Sequence, residues 1–386
     1  MSTRSWWQNG LVLTAFLFAC ESTTAPPATQ NDPPPPAAAA PTEPAAVVAA
    51  TGTGTRGFVV SQWYDELPDA KPADCPDGMN PSESEYYEVD TKEFAAAIKE
   101  IGYSEAQQKF FPPDACSEPT AQPDPGFKTF KASIPVAGLD LDGVDSSGDD
   151  GSGCAHKDFT SPDGETGIDN QHWRLLGCTK GYQPDGQLDR MYREGNFIKE
   201  GFPILFELTG VDDPQNDENV EFRIFSSADP VTLSASGDVL RDLSLRVHNE
   251  AKYTSASAKG RIENGVLTTD PIDIRLRLKQ QVIDDEFFFR DARVRAKLLP
   301  DGRLEGVMGY YWDTENFYKV NNDHYIGDYH SGRIAAETRG YMCAGIYHAI
   351  PRIADGHPDP ETGKCTSISA AMHFEGMPAF VIEEES

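Results

Sequence analysis

From Gly201 onward the chain alternates apolar and polar residues in one short run after another: PILFELTG, NVEFRIFSS, LSLRVHN, DIRLRLKQQVI, RDARVRAKLLP and RLEGVMGYYWD. Alternation at period two sends successive side chains to opposite faces of an extended strand, a pattern that a helix cannot use. Pro, Gly, Asp and Asn separate the runs, and Leu299, Pro300, Asp301, Gly302 and Arg303 spell a tight turn between the last two. Strands with one apolar face need a second layer to bury it. The expected fold class is therefore mainly β, an antiparallel sandwich or jelly-roll-like body, with a barrel as the alternative that spacing does not separate.

Helical patterns flank this body. GFVVSQWY, from Gly57, reads as a first strand, whereas residues 91–110 place Phe94, Ile98 and Ile101 at helical spacing, with Thr91 as cap and Pro112 and Pro113 as stop. Residues 332–350 read as one helix ended or kinked by Pro351, followed by the loop DGHPDPETGKC and a last strand at AFVIEE. The expected organisation is a small α-containing N-terminal subdomain (57–135), an acidic Gly-rich loop region (136–200) and a β-rich body with a C-terminal helix-loop cap (201–386).

The chain opens MSTRSWWQNGLVLTAFLFAC, in which Arg4 precedes an apolar run over residues 11–18. A short charged head and an apolar stretch of this length describe a secretory signal over residues 1–19 rather than a membrane span. Leu17, Phe18, Ala19 and Cys20 together resemble the lipobox of bacterial lipoproteins. That resemblance implies cleavage before Cys20, a diacylglycerol on Cys20 and a membrane hold through its acyl chains. With Glu21 rather than aspartate at the second mature position, it also implies an outer-membrane or cell-surface address. Residues 20–56, rich in Pro and Ala, read as a disordered tether that cannot bury enough apolar surface to fold.

Cys20 aside, six cysteines remain: Cys75, Cys116, Cys154, Cys178, Cys343 and Cys365. An even number in an exported chain reads as disulfides. The simplest connectivity is sequential, Cys75 with Cys116, Cys154 with Cys178 and Cys343 with Cys365. No CxxC, HExxH or CxxCH motif supports zinc or c-type haem.

A formal charge of −29, from 33 basic and 62 acidic residues, argues against a nucleic-acid partner. Five aspartates stand in DLDGVDSSGDDGSGC, where Asp140, Asp142, Asp145, Asp149 and Asp150 lie among glycines that permit sharp folding. Calcium takes six to eight oxygens in loose geometry, which such a segment can supply. Asp163, Glu165, Asp169 and Asn170 follow within reach. An EF-hand is excluded, because Val144 stands where an oxygen is required, and the sixth-position glycine and twelfth-position glutamate are missing. Two readings stay open, a structural Ca2+ site and a solvated acidic loop.

The cations are also patterned. Alternation sends Arg275, Arg277 and Lys279 to one face of DIRLRLK, and Arg293, Arg295 and Lys297 to one face of RDARVRAKL. If the two runs neighbour each other, the six form an anion-binding face for an acidic polysaccharide or another anionic envelope ligand, extended by Arg223, Arg246 and His248. The competing reading is a charged face compensated by local acids. Asp323, His324, Asp328 and His330 carry metal-ligand chemistry in one short loop, and Glu207 and Glu221 are placed for a glycosidase-type carboxylate pair. No GxSxG, P-loop or Rossmann fingerprint occurs, and no catalytic residue is assigned. The expectation is a lipid-anchored envelope protein with a binding or structural domain, stabilised by calcium and directed at an anionic extracellular ligand. A secreted hydrolase acting on an extracellular polymer is the alternative.

Overall fold

The computed structural model describes residues 54–383, apart from 66–67, 69, 113–114, 147–153, 185, 189–200, 202, 280–283, 324 and 327–328. The signal, Cys20 and the tether up to residue 53 lie outside the described residues, as do Asp149, Asp150, His324 and Asp328.

The strands are β1 (Gly54–Tyr64), β2 (Ile204–Val211), β3 (Asn216–Ser226), β4 (Leu243–Arg246), β5 (Ala256–Glu263), β6 (Val266–Thr269), β7 (Ile272–Lys279), β8 (Asp284–Leu298), β9 (Leu304–Asp313), the two-residue β10 (Tyr325–Ile326) and β11 (Tyr329–His330), β12 (Gly356–Pro358) and β13 (Cys365–Ile382). The body is mainly β, as the alternation requires. Its sheet runs β1-β2-β3-β5-β6-β8-β9-β13-β12, and β1 pairs in addition with β13. The length of β13 makes this possible: Ser367 to Gly376 pair with β9, while His373 to Ala379 pair with β1. One sheet thus curls over and closes on itself, which gives the two facing layers and leaves few open edges. The pairings are antiparallel except for β4, which lies parallel to the end of β13.

Alternation decides what the closed sheet encloses. Ile272, Ile274, Leu276 and Leu278 of β7 are buried, as are Ala292, Val294 and Ala296 of β8. They join an aromatic group of Phe287, Phe289, Tyr310 and Trp312 in the main core. A bulge between Arg290 and Arg293, with Asp291 at φ 47°, shifts the phase so that Phe289 and Ala292 both point inward. β6 and β7 behave as one strand along β8: Thr268 pairs with Arg295 and Ile274 with Phe289. Pro271, lacking an N–H, interrupts the ladder between them.

Helices occupy the flanks. The helices are α1 (Glu83–Tyr86), α2 (Thr91–Ile101), α3 (Tyr103–Phe110), α4 (Gln171–Leu176), α5 (Thr314–Asn322), α6 (Ser331–Arg339) and α7 (Cys343–Ile353). The helix expected over 91–110 is two helices, because Gly102 sits at φ 86°, and its cap is Asp90, which accepts from the backbone N–H of Lys92 and Glu93. The C-terminal helix likewise breaks at Gly340, φ 80°, and Pro351 is accommodated inside the last turn of α7.

Two expectations are corrected. The disulfides are not sequential: Cys75 bonds Cys178, Cys116 bonds Cys343 and Cys154 bonds Cys365, across separations of 103, 227 and 211 residues. Segment 57–135 is consequently not clamped within itself. It opens with β1, inserted between β2 and β13 of the body, and its α1 packs on the C-terminal helices, where Glu337 accepts from Ser82 Oγ at 3.1 Å and Ser84 N at 3.0 Å. The physical reason is that β1 must bury two faces and two edges, which only the distant strands provide. Three disulfides point to an oxidising compartment. No described helix is long and apolar enough to cross a membrane.

Candidate functional site

The acidic stretch begins as a cover over the outer face of β9. Leu139 and Leu141 bury against Tyr311, with Val307 beside them, and Gly309 leaves the space, since a Cβ there would stand 3.1 Å from both leucines. Alternation then turns Asp140 and Asp142 away from the sheet. Leu139 forms a β-bridge with Asp169, which returns the downstream acidic segment to the same place. A second bridge, Phe159 with Ile168, closes the intervening loop. Gly167, at φ 75°, lets the two segments meet, with Asp140 Oδ2 3.6 Å and the Val144 carbonyl 3.5 Å from where its Cβ would be.

Carboxylate oxygens of Asp140, Asp142 and Asp169 all fall within 4.8 Å of one another. Asp169 is only 4% exposed, and its Oδ2 accepts from Leu141 N at 2.7 Å. The other two are ordered by their own turns: Asp140 Oδ1 accepts from Gly143 N at 2.6 Å and Asp142 Oδ1 from Val144 N at 2.7 Å. Asp158 closes the loop by accepting from Ser146 N at 2.5 Å. Asp355, after α7, accepts from Ser369 N at 2.7 Å.

Electrostatics joins these groups. Burial pushes the Asp169 carboxyl up to about 8, against the backbone hydrogen bond from Leu141, and the charges of Asp142, Asp355 and Asp158 add to the rise. Asp158 is pushed up to about 6 by burial and by Asp142, Asp145 and Asp140. Asp355 reaches about 7, again mainly through burial, with Asp158 contributing. Two cations approach: Arg293 Nη1 donates to the Asp140 carbonyl at 2.8 Å, and Arg174 donates to the Lys157 carbonyl at 2.6 Å and feels Asp158 and Asp355. Both guanidinium contacts named here are to backbone oxygens, so the carboxylates face one another. An all-oxygen, acid-rich, loop-borne donor set is the chemistry of a hard divalent cation, calcium above zinc or copper.

Of the five aspartates expected to bind metal, Asp140 and Asp142 converge, Asp145 stays exposed at the rim, and Asp149 and Asp150 lie outside the described residues. Asp169 was within the expected set of followers, whereas Glu165 is engaged by Arg295 and Asn170 caps α4. Asp158 and Asp355 escape sequence reasoning. Only the bond between Cys154 and Cys365, which draws the loop onto the β12–β13 hairpin, reveals why they belong. A second grouping, Glu83 with Cys116 and Cys343, is no metal centre, because the two sulfurs are bonded to each other.

The six cations do not make one face. β7 and β8 are neighbours, as expected, but they run antiparallel, with Arg275 opposite Phe288 and Lys279 opposite Asp284. Both triads sit towards the C-terminal ends of their strands, so an antiparallel pair carries them to opposite ends, roughly 16 Å apart between Phe288 and Arg293 at ~3.3 Å per residue. Acids compensate several of them: Arg275 meets Glu286 at 3.0 Å, Arg277 meets Asp284 at 2.6 Å and Arg295 meets Glu165 at 2.6 Å. Lys297 stands opposite Glu305. Arg246 and His248, however, do reach the β7 triad. With Arg277, Lys279, Asp284 and Asn249 they line a cleft of about 430 Å³.

The remaining candidates separate. Glu207 is 9% exposed and paired to Arg223 at 3.1 Å, which also holds Glu383 at 2.6 Å, while Glu221 accepts from Ser257. The pair that glycoside chemistry would need is thus split by an arginine. Of the histidine loop, Asp323 is described, its carboxyl raised by burial, and the side chain of His330 lies outside the described set with His324 and Asp328. Compared with family models, with curated proteins and with solved structures, the chain matches none.

Proposed function

We propose that this chain is an exported, lipid-anchored envelope protein whose β-rich body is stapled by Ca2+ and serves as a binding module for an anionic extracellular ligand. The signal layout, the lipobox-like residues up to Cys20 and the three disulfides support the address. One observation carries the calcium reading: carboxylates from three separate stretches, Asp140 and Asp142, Asp158 and Asp169, and Asp355, interact with one another in a partly buried setting. Without a counter-ion their mutual repulsion opposes folding; a divalent cation reverses its sign.

Thermal unfolding with calcium and with chelator tests it. At a calcium level about ten times Kd the folded state gains about 1.4 kcal/mol, a rise in melting temperature of about 2 °C for a body of this size. Asp140→Ala with Asp142→Ala removes the increment. Equal melting curves with calcium and with chelator rule the reading out. The hydrolase alternative has less support, because Arg223 occupies Glu207.

A further inference from the structure

The Cys116–Cys343 disulfide lies beside a buried carboxyl that forms no ion pair among the described residues. Glu83, at the first position of α1, is 1% exposed, and both half-cystines are fully buried. One Glu83 oxygen and the two sulfurs all fall within 4.8 Å of one another. Glu83 Oε1 accepts from Cys343 N at 2.7 Å and stands 3.6 Å from Cys116 Sγ. Glu83 Oε2 is buried with no hydrogen-bond partner among the described residues. An unmatched buried polar atom of this kind costs about 1–3 kcal/mol, so its presence calls for a reason.

Part of the reason is a cap. Met342 offers no side-chain acceptor to the start of α7, and Glu83 Oε1 takes the N–H of its first residue, Cys343. A glutamine amide would serve that purpose equally, with no charge to bury. The surroundings are those of a group that trades a proton. Burial raises the carboxyl's affinity for a proton, against the Cys343 N–H and the charge of Arg333, and Glu337 adds to the rise. Arg333 Nε and Nη1 are themselves buried without hydrogen-bond partners among the described residues, so an ionised Glu83 has a cation in reserve. Tyr318 Oη donates to the Cys116 carbonyl at 2.7 Å, which holds Cys116 against α5 independently of the S–S bond. Cys343 heads a helix of 11 residues, and a helix N-terminus favours the thiolate.

We propose that Glu83 is the general base that closes the Cys116–Cys343 bond during oxidative folding. Before closure, Cys116 carries a mixed disulfide with a small thiol, formed from a low-molecular-weight disulfide such as oxidised glutathione. The Cys343 sulfur attacks the Cys116 sulfur, the bond from Cys116 to the small thiol breaks, and that thiol leaves as thiolate with the bonding pair. The Cys343 thiol proton passes to Glu83, so one carboxylate charge is lost as one thiolate charge is released. Cys343 is oxidised and the departing sulfur is reduced. A thiol in apolar surroundings holds its proton more tightly than in water. A carboxyl whose own affinity rises with the same burial is the better-matched acceptor. After closure the base is left protonated beside sulfurs that no longer exchange protons, which accounts for the unmatched Oε2. This role is independent of the calcium site and of the anionic ligand.

The test is oxidative refolding of the full mature chain, with Cys20→Ser so that only the six paired cysteines react. The reduced, unfolded protein is transferred to glutathione buffer between pH 6 and 9, quenched with acid, and its linked peptides are followed by mass spectrometry. The Cys154–Cys365 bond, at the β12–β13 hairpin, is the reference within the same molecules. Glu83→Gln is expected to slow Cys116–Cys343 closure at pH 7 at least about tenfold relative to that reference. The deficit is expected to shrink towards pH 9, where the thiol ionises without help. Glu83→Asp, which keeps a carboxyl on a shorter stem, is expected to recover part of the rate. An unchanged closure rate in Glu83→Gln overturns the proposal. Equal slowing of both bonds, outright failure to fold included, or a deficit that is constant with pH, reduces Glu83 to a cap and overturns it as well.

Discussion

Cys154 is bonded to Cys365 across 211 residues, and that bond holds the Asp158 loop against the hairpin that carries Asp355. The acidic centre is therefore assembled by a covalent tie as much as by its own turns. Replacing both cysteines by serine is expected to cost about 2–5 kcal/mol of stability, measured by urea denaturation, and to shrink the calcium-induced rise in melting temperature. A full calcium response in the doubly substituted protein would show that the acids converge without the tie.

The pH dependence of the metal-free protein follows from the raised carboxyls. Asp158, Asp169 and Asp355 titrate at about 6, 8 and 7 when folded and near 4 when unfolded. Between these limits the folded state binds more protons, so stability falls as pH rises from about 4 to 8. Calcium competes with those protons, and its stabilising effect grows over the same interval. Melting curves in chelator and in calcium from pH 5 to 8 should diverge as pH increases.

Asp169→Asn separates repulsion from ligation. The amide retains an oxygen that accepts from Leu141 N while removing a buried negative charge. Melting in chelator at pH 8 is expected to rise, and the calcium increment to shrink or vanish. A fall in chelator would mean that Asp169 stabilises the fold through its charge.

The core and the surface should respond very differently. Phe289, 1% exposed and 4.0 Å from the Tyr310 ring, is expected to cost about 3–5 kcal/mol on truncation to alanine. Arg295→Gln breaks an exposed pair with Glu165 and should cost less than about 1 kcal/mol. Urea midpoints of the two variants check the contrast directly.

Much of the sheet was legible because alternation is a local property. Ile274, Leu276 and Leu278 announce the buried face of β7, and the turn at Pro300 and Asp301 announces the β8–β9 hairpin. Helix breaks at Gly102 and Gly340 were less legible, since a glycine within a helical pattern is compatible with continuation or with a positive φ. Register decided the fate of the cationic triads: the composition of each strand was readable, but the direction of pairing sets which ends meet. Disulfide partners were not readable at all, because fifteen pairings share one set of spacings. For the same reason Asp158 and Asp355 stayed hidden, each unremarkable until Cys154 and Cys365 are joined.

The closing role of β13 has a consequence in time. It is the strand that touches β9, β1, β4 and β12, and it emerges after every one of them during synthesis. The sheet cannot shut while β13 is still in the ribosome, so earlier strands must wait with their edges bare. Cys75, Cys116 and Cys154 all reach the oxidising side before Cys343 and Cys365, and Cys116 and Cys154 before their true partners. Correct assembly thus waits for the end of the chain, and oxidation that is too early would trap Cys116 with Cys154 or Cys178. A thiol–disulfide isomerase, rather than an oxidase alone, is what such a chain requires of its compartment.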